Sequence, residues 1–335
     1  MTATDTLVRE TGEPAAPVTT RTGMQRLVTS LSLRNFGIVY GFVALIIFLS
    51  IASPVFFSAQ NIGNLLFQST AIGLIAVAGT LLLISGGFDL SVGATFALAG
   101  VVAAQCAATL PIPLALGAGV LVGAFVGLLN GLVTTFGRIN PLVATLASSI
   151  VIGGVAFALT GGYLVSVADP AFQALGRGEV GGIRFQTIIW LSFALICGLV
   201  LAFTTFGRHI YASGGNPDAA RLSGIKVGLV RTVTYTLSGF AAGLAGVLAA
   251  SQVSTGQADT GATLALSAIA AIVVGGTSIW GGEGAVWRTV LGVLLLALIG
   301  NGFNLLQVPP TYQDILKGLI ILGAVAVDAW TRRRT

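Results

Sequence analysis

The chain reads as an all-α protein, a polytopic transmembrane helical bundle of about ten spans with broken or re-entrant segments. Three observations predict this. Of its 335 residues, 55% are hydrophobic and 8% charged, with a mean hydropathy of +0.96, where a soluble domain carries about 25% charge. Apolar runs near the ~20 residues needed to cross a bilayer recur along its length. Glycine is abundant, at 46 residues, which suits closely packed membrane helices.

Residues 1–35 are rich in Thr, Pro and charge and read as a disordered cytoplasmic tail. No apolar core precedes residue 36, so they do not form a signal peptide. Residues 36–331 form the transmembrane domain, with spans expected near 36–53, 63–85, 90–109, 113–135, 141–160, 187–206, 230–251, 263–281, 287–306 and 314–330. Glycines and polar residues interrupt the second, third and eighth.

Charge supports an even count. With the N-terminus inside, the tail, Arg138, the 207–231 loop and Arg332–Arg334 all face the cytoplasm. Only Arg177, Arg184 and Lys317 among the basic residues then lie outside, which is the positive-inside pattern. The net charge of +5 is spread over loops rather than gathered in a patch, so nucleic-acid binding is not expected. Cys106 and Cys197 both fall in apolar runs and suggest no disulfide framework. The one histidine, His209, cannot build a His-based metal site or triad, and no cofactor is expected. There is no Walker A motif, so the chain does not hydrolyse ATP by itself.

Gly123, Gly127 and Gly131 stand four residues apart and make a smooth face for close helix contact. The segment 161–186 carries Asp169, Arg177, Glu179 and Arg184 and reads as the largest extracytoplasmic loop. Asp89 lies in Ser85-Gly86-Gly87-Phe88-Asp89-Leu90-Ser91-Val92-Gly93, between two apolar runs. Two readings fit it. One is a broken helix beside a translocation path; the other is a turn in which Asp89 caps the next helix. A second glycine-rich break, Gly275–Gly284, contains Glu283 and hints at an internal repeat, or is a turn anchored by Trp280.

Asn64, Gln68, Gln105, Asn130, Asn301 and Asn304 recur within or beside spans. Amides both donate and accept, as a neutral polyhydroxyl solute would want, and Phe67, Phe88 and Phe303 could stack on a sugar face. For any single amide, interhelical hydrogen bonding is the simpler account. The path candidates are therefore Asp89, Phe88, Asn64, Gln68, Asn301 and Asn304.

Gly207–Ile225 is a polar, basic island. Asn216 reads as an N-cap, Pro217 as the first helical residue, Asp218 as a first-turn acid and Gly224 as the stop. The expected helix, Pro217 to Ser223, is a rigid lever about 10 Å long. Ala219 and Ala220 are expected to let it sit close to a partner, with Arg221 reaching an acidic groove. An ion-coupled secondary transporter or channel would need membrane carboxylates or cation sites, and few are present. An intramembrane enzyme would need clustered catalytic groups, which are missing.

These motifs converge on a resemblance. GGFDLSVG resembles the GGIDLSVG signature of the ribose-type sugar permeases of ATP-binding-cassette importers, the carbohydrate uptake transporter 2 family. GRHIYASGGNPDAARLSGI resembles their cytoplasmic coupling loop, and GGTSIWGGEGAVWRTVLG and NGFNLLQVPPTYQDILKGLIIL resemble their C-terminal spans. The likeness runs in one order over roughly residues 40–330. It implies a multi-pass permease of the bacterial cytoplasmic (inner) membrane, with no catalysis of its own. The implied partners are a second permease subunit, identical or not, a cytoplasmic ATP-binding subunit and an extracytoplasmic sugar-binding protein. The implied substrate is a sugar. Asn216, Pro217, Ala219, Ala220, Arg221 and Gly224 would couple to the ATPase. The chain departs from the pattern at Phe88, at Ala265 and Ser267, where acidic residues are common, and at Arg288, where glycine is usual.

Overall fold

The structure, a computed structural model, describes residues 33–309, 311–313, 315–316, 318–319 and 322–323. The expected tail, apart from 33–35, and most of the 314–330 span with Arg332–Arg334 lie outside the described residues. The chain's contacts divide it at Gly37 and Ile38. Of the first unit only the opening turn of a helix is described; the second unit carries the rest of that helix and every other element.

The expected spans up to 287–306 fall on helices, but not all of these are long enough to cross a membrane. The helices are α1 (Leu33–Ala52), α2 (Ala59–Gln68), α3 (Thr70–Ile84), α4 (Val92–Cys106), α5 (Ile112–Thr135), α6 (Pro141–Thr160), α7 (Pro170–Arg177), α8 (Phe185–Phe203), α9 (Thr205–Gly215), α10 (Pro217–Leu222), α11 (Val227–Val253), α12 (Leu264–Val274) and α13 (Val286–Leu305). Among them α5, α6, α8, α11 and α13 are each long and apolar enough to cross a membrane. The pair α2 and α3 makes a sixth span if counted together, bent by 47°. The bend falls at Ser69, whose hydroxyl donates back to the Leu65 carbonyl at 2.7 Å and so competes for an acceptor of the helix ladder.

Two expected spans are shorter than their apolar runs. α4 has 15 residues and α12 has 11, about 22 Å and 16 Å long against a hydrocarbon core of about 30 Å. The eighth expected span, 263–281, is corrected to a helix ending at Val274, because Gly275 and Gly276 turn the chain out of the helix.

α11 is the axis of the bundle, packed against α3, α4 and α5. Its closest neighbour is α5, and the glycine face makes this possible. A Cβ at Gly127 would collide with the Tyr235 carbonyl and one at Gly123 with the Gly239 carbonyl. The close helix contact expected from the Gly123, Gly127, Gly131 spacing is present.

The 161–186 segment is ordered rather than open. β1 (Val165–Ser166) pairs antiparallel with β4 (Thr255–Gly256), while β2 (Glu179–Val180) and β3 (Ile183–Arg184) form a hairpin. Gly181 and Gly182 supply the positive φ angles of its turn, 58° and 79°. Asp169 caps α7 by accepting from the Ala171 amide at 2.8 Å. The Gly176 amide donates to Ser251 Oγ at 2.8 Å, tying α7 to the end of α11.

Candidate translocation path and coupling surface

The two glycine-rich breaks share one geometry. After α3, the Gly86 amide donates to the Leu83 carbonyl at 2.9 Å and Gly87 to Leu82 at 3.0 Å. After α12, Gly276 donates to Val273 at 2.8 Å and Thr277 to Ile272 at 3.2 Å. Gly86 and Gly276 stand at φ 82° and 80°. Each helix thus ends in a Schellman motif, with glycine at the left-handed position.

The breaks also touch. The Gly282 amide donates to the Ile84 carbonyl at 2.9 Å. α9 closes the same point, since a Cβ on Gly214 would collide with the Ile84 carbonyl. Arg231, at the start of α11, donates from Nε to the Ser85 carbonyl at 3.0 Å and from Nη2 to Ser213 at 3.4 Å. Tyr211 of α9 donates from its hydroxyl to the Gly284 carbonyl at 2.7 Å. Both breaks and the island after α8 therefore meet in one junction.

Asp89 is 7% exposed and held by neutral donors. Its Oδ1 accepts from the Ser91 amide at 2.9 Å and Ser91 Oγ at 2.6 Å, and its Oδ2 from Ser238 Oγ at 3.0 Å. Asn130 Nδ2 donates to Ser91 Oγ at 2.8 Å. Phe88 packs against the core; its carbonyl accepts from the Tyr235 hydroxyl at 2.9 Å, and Leu90 N donates to Thr145 Oγ1 at 3.1 Å. Donors and acceptors on α5, α6 and α11 thus pin the break. A buried carboxylate is tolerable only with such bonding. The ion pairs among the described residues are Glu179 with Arg184 and Asp218 with Arg221, so Asp89 has no cation against it.

The amide candidates separate into three places. Asn64 Oδ1 accepts from Arg184 Nη2 at 3.3 Å near the β2–β3 hairpin, where the Arg184 guanidinium stands 4.1 Å from the centre of the Phe67 ring. Asn301 and Asn61 exchange amide bonds of 2.7 and 3.1 Å between α13 and α2. Gln68 and Asn304 line one cavity of about 210 Å³, together with Ser69, Ser267 and Gln313. Gln313 Nε2 donates to Asn304 Oδ1 at 3.1 Å. Among the described residues, no side chain lining this cavity is charged. Asp89 and Phe88 do not reach it.

α10 is capped as its sequence suggests. Asn216 Oδ1 accepts from the Ala219 amide at 3.0 Å, Pro217 opens the helix, and Gly224 leaves it at φ 84°. Two details of the expected lever are corrected. Ala220 is buried at 5% and turned toward its own chain, so it offers no surface to a partner, while Ala219 is exposed. Arg221 Nη1 lies 2.6 Å from Asp218 Oδ1 on the same helix rather than projecting free. The large apolar side chain that projects from α10 is Leu222, 91% exposed, beside the exposed Asp218 and Arg221.

Sequence reasoning missed Leu222, Tyr211, Arg231, Tyr235, Ser238 and Thr145. Arg231 carried a usable signal as a lone cation entering an apolar run. The others are small polar or apolar residues whose importance comes only from long-range contact.

The fold and this junction define a multi-pass helical membrane protein of the transport class. The chain belongs to the family described as branched-chain amino acid transport system / permease component, which matches residues 61–325. It is similar to the ribose import permease protein RbsC of Bacillus subtilis, 39% identical over 88% of this chain and 93% of that one. The Haemophilus influenzae RbsC is 38% identical over 86% and 91%. The L-arabinose ABC transporter permease protein AraH of Azospirillum brasilense is 37% identical over 95% and 93%. No solved structure matches the chain.

Proposed function

We propose that this chain is the membrane-spanning permease subunit of an ATP-binding-cassette importer that carries a monosaccharide or related neutral polyhydroxyl solute into the cytoplasm. The observation that carries the reading is the junction. α10 stands on a capped stem whose base, Gly214, packs against both helix breaks. A push on α10 would reach both breaks through one rigid contact.

The relatives named for ribose and arabinose support a sugar, and so does the uncharged cavity at Gln68 and Asn304. The family description names branched-chain amino acids. A zwitterion, however, would bring an ammonium and a carboxylate to a cavity whose described side chains offer neither a cation nor an anion. In this reading Asn64 and Asn301 belong to the path above the cavity, and Asp89 and Phe88 to its moving wall. ATP is hydrolysed by a separate subunit that receives Asn216, Pro217, Ala219, Arg221 and Leu222, with Ala220 and Gly224 setting the helix's shape.

The full assembly contains a second permease subunit, a cytoplasmic ATP-binding subunit and an extracytoplasmic binding protein that delivers the sugar. The chain crosses the inner membrane about ten times, with α4 and α12 as the short, broken spans that follow or precede the breaks. Residues 1–35 are its cytoplasmic tail and 36–331 its permease domain. The test is uptake of labelled ribose, arabinose and leucine by cells in which this chain is deleted and then restored. Restored uptake of a sugar supports the reading; restored uptake of leucine alone would replace it.

A further inference from the structure

Along one flank, α8 and α13 leave an apolar groove of about 550 Å³, running from Leu191 to Phe203 and closed at that end by Tyr211 and Trp287. The stretch of α8 that lines it rises about 18 Å at 1.5 Å per residue. That is close to the depth of one leaflet of a hydrocarbon core about 30 Å thick.

A cation stands beside the groove, against one of its lining residues. Arg288 lies 5.3 Å over the Trp287 ring. Among the described residues, its Nε is enclosed yet has no hydrogen-bond partner, and neither ion pair includes it. Burial pushes the Tyr211 hydroxyl up from its ordinary value while the Arg288 charge pulls it down. Arg288 sits in the first turn of α13, where the helix dipole opposes positive charge. Helix stability therefore does not explain it. The exposed Glu283, just before the helix, does not pair with it.

We propose that this groove holds one anionic phospholipid of the cytoplasmic leaflet, with its phosphate on Arg288 and an acyl chain along α8. The argument is charge complementarity: an anionic headgroup would meet a guanidinium that has no ion pair among the described residues and that stands over Trp287, which lines the chain-length apolar slot. On this proposal Trp287 and Tyr211 would lie at headgroup level, where aromatic residues gather. The leaflet assignment rests on the inward orientation of α10 proposed above.

The test reconstitutes the full chain in vesicles of equal phosphatidylglycerol and phosphatidylcholine, re-extracts it and counts retained lipid by mass spectrometry. Wild type should retain phosphatidylglycerol over phosphatidylcholine by about fivefold or more. Arg288→Gln should erase that preference and Arg288→Lys should keep most of it. Ala202→Trp, which fills the groove, should lose the retained lipid. Equal retention of the two lipids by wild type, or an unchanged preference in Arg288→Gln, overturns the site. So does disulfide cross-linking between two copies through Leu195→Cys, with Cys106 and Cys197 replaced by Ser, since a second copy would then occupy the groove. Leu222→Cys labelled from outside the cell would overturn the orientation alone, leaving the lipid count to decide the site.

Discussion

The amide of Gly282 is bonded to the carbonyl of Ile84 at 2.9 Å. Ile84 ends α3, and the last carbonyls of a helix have no partner within it. The Schellman motif after α3 satisfies those of Leu82 and Leu83. The carbonyl of Ile84 is left over, and the second break supplies its donor. The two breaks are thus parts of one hydrogen-bonded unit, and α9 is pressed into it at Gly214. Motion of α9 and α10 cannot leave either break unmoved.

Gly214→Ala tests this contact. Its methyl would collide with the Ile84 carbonyl, whereas a Cβ on the neighbouring Gly215 meets no heavy atom within 4 Å among the described residues. Backbone collisions of this kind cost about 1–3 kcal/mol. Gly214→Ala should lower uptake at least tenfold at equal membrane level, while Gly215→Ala should stay within twofold. Equal behaviour of the two variants in a transport assay would remove the junction from the mechanism.

Leu222 is the side chain α10 has to offer. Burying a leucine in a partner's groove contributes about 1.5–3 kcal/mol, so Leu222→Ala should weaken capture of the ATP-binding subunit by tenfold or more. Ala219→Ser, at an exposed site on the same helix, should change it little. Ala220→Glu is a poorer probe, since it would force a charge into the chain's own packing. Co-purification at graded salt gives the comparison, and full retention by Leu222→Ala would show that α10 does not dock through its tip.

What could be read beforehand came from local chemistry. The glycine face of α5 was legible because a four-residue repeat is a helix-surface statement. The Asn216–Pro217 start and Gly224 stop were legible because caps are set by neighbours. The facing of Ala220 and Leu222 was not, since a six-residue helix has too few turns to show periodicity. The Asp218–Arg221 pair was readable from its i,i+3 spacing and was overlooked. Gly282 with Ile84, and Asn61 with Asn301, join distant parts of the chain and leave no mark in composition. The double glycines marked both breaks, but not that α12 would stop at Val274 with apolar sequence still to run.

Asp89 should prove necessary for transport. Asp89→Asn keeps the shape but can turn an NH2 group toward the Ser91 amide or the Ser238 hydroxyl that now donate to a carboxylate. Leaving buried donors unpaired costs about 1–3 kcal/mol. The variant should insert normally, lose most uptake and expose the 85–91 segment to protease. Ser238→Ala removes one of those donors and should show a smaller loss of the same kind. Uptake and protease resistance both at wild-type level in Asp89→Asn would mark Asp89 as a dispensable turn residue.

The cavity at Gln68 and Asn304 decides between solutes. A neutral sugar needs donors and acceptors that amides and hydroxyls supply, and it gains nothing from a fixed charge. An amino acid would gain from one. Gln68→Glu and Asn304→Asp each place a carboxylate in a space lined, among the described residues, only by Gln, Asn, Ser, Gly and apolar side chains. An unpaired charge there must bind a cation, take up a proton or hold water, and each outcome competes with a polyol for the site. Sugar uptake should fall about tenfold in either variant and recover partly at low pH, where the introduced carboxyl is neutral. Ser267→Phe, which fills the same space without charge, should abolish uptake at every pH. If the acidic variants raise uptake of a cationic or zwitterionic solute, or if all three leave sugar uptake intact, the solute does not pass through this cavity. The amides would then be interhelical bonds and nothing more.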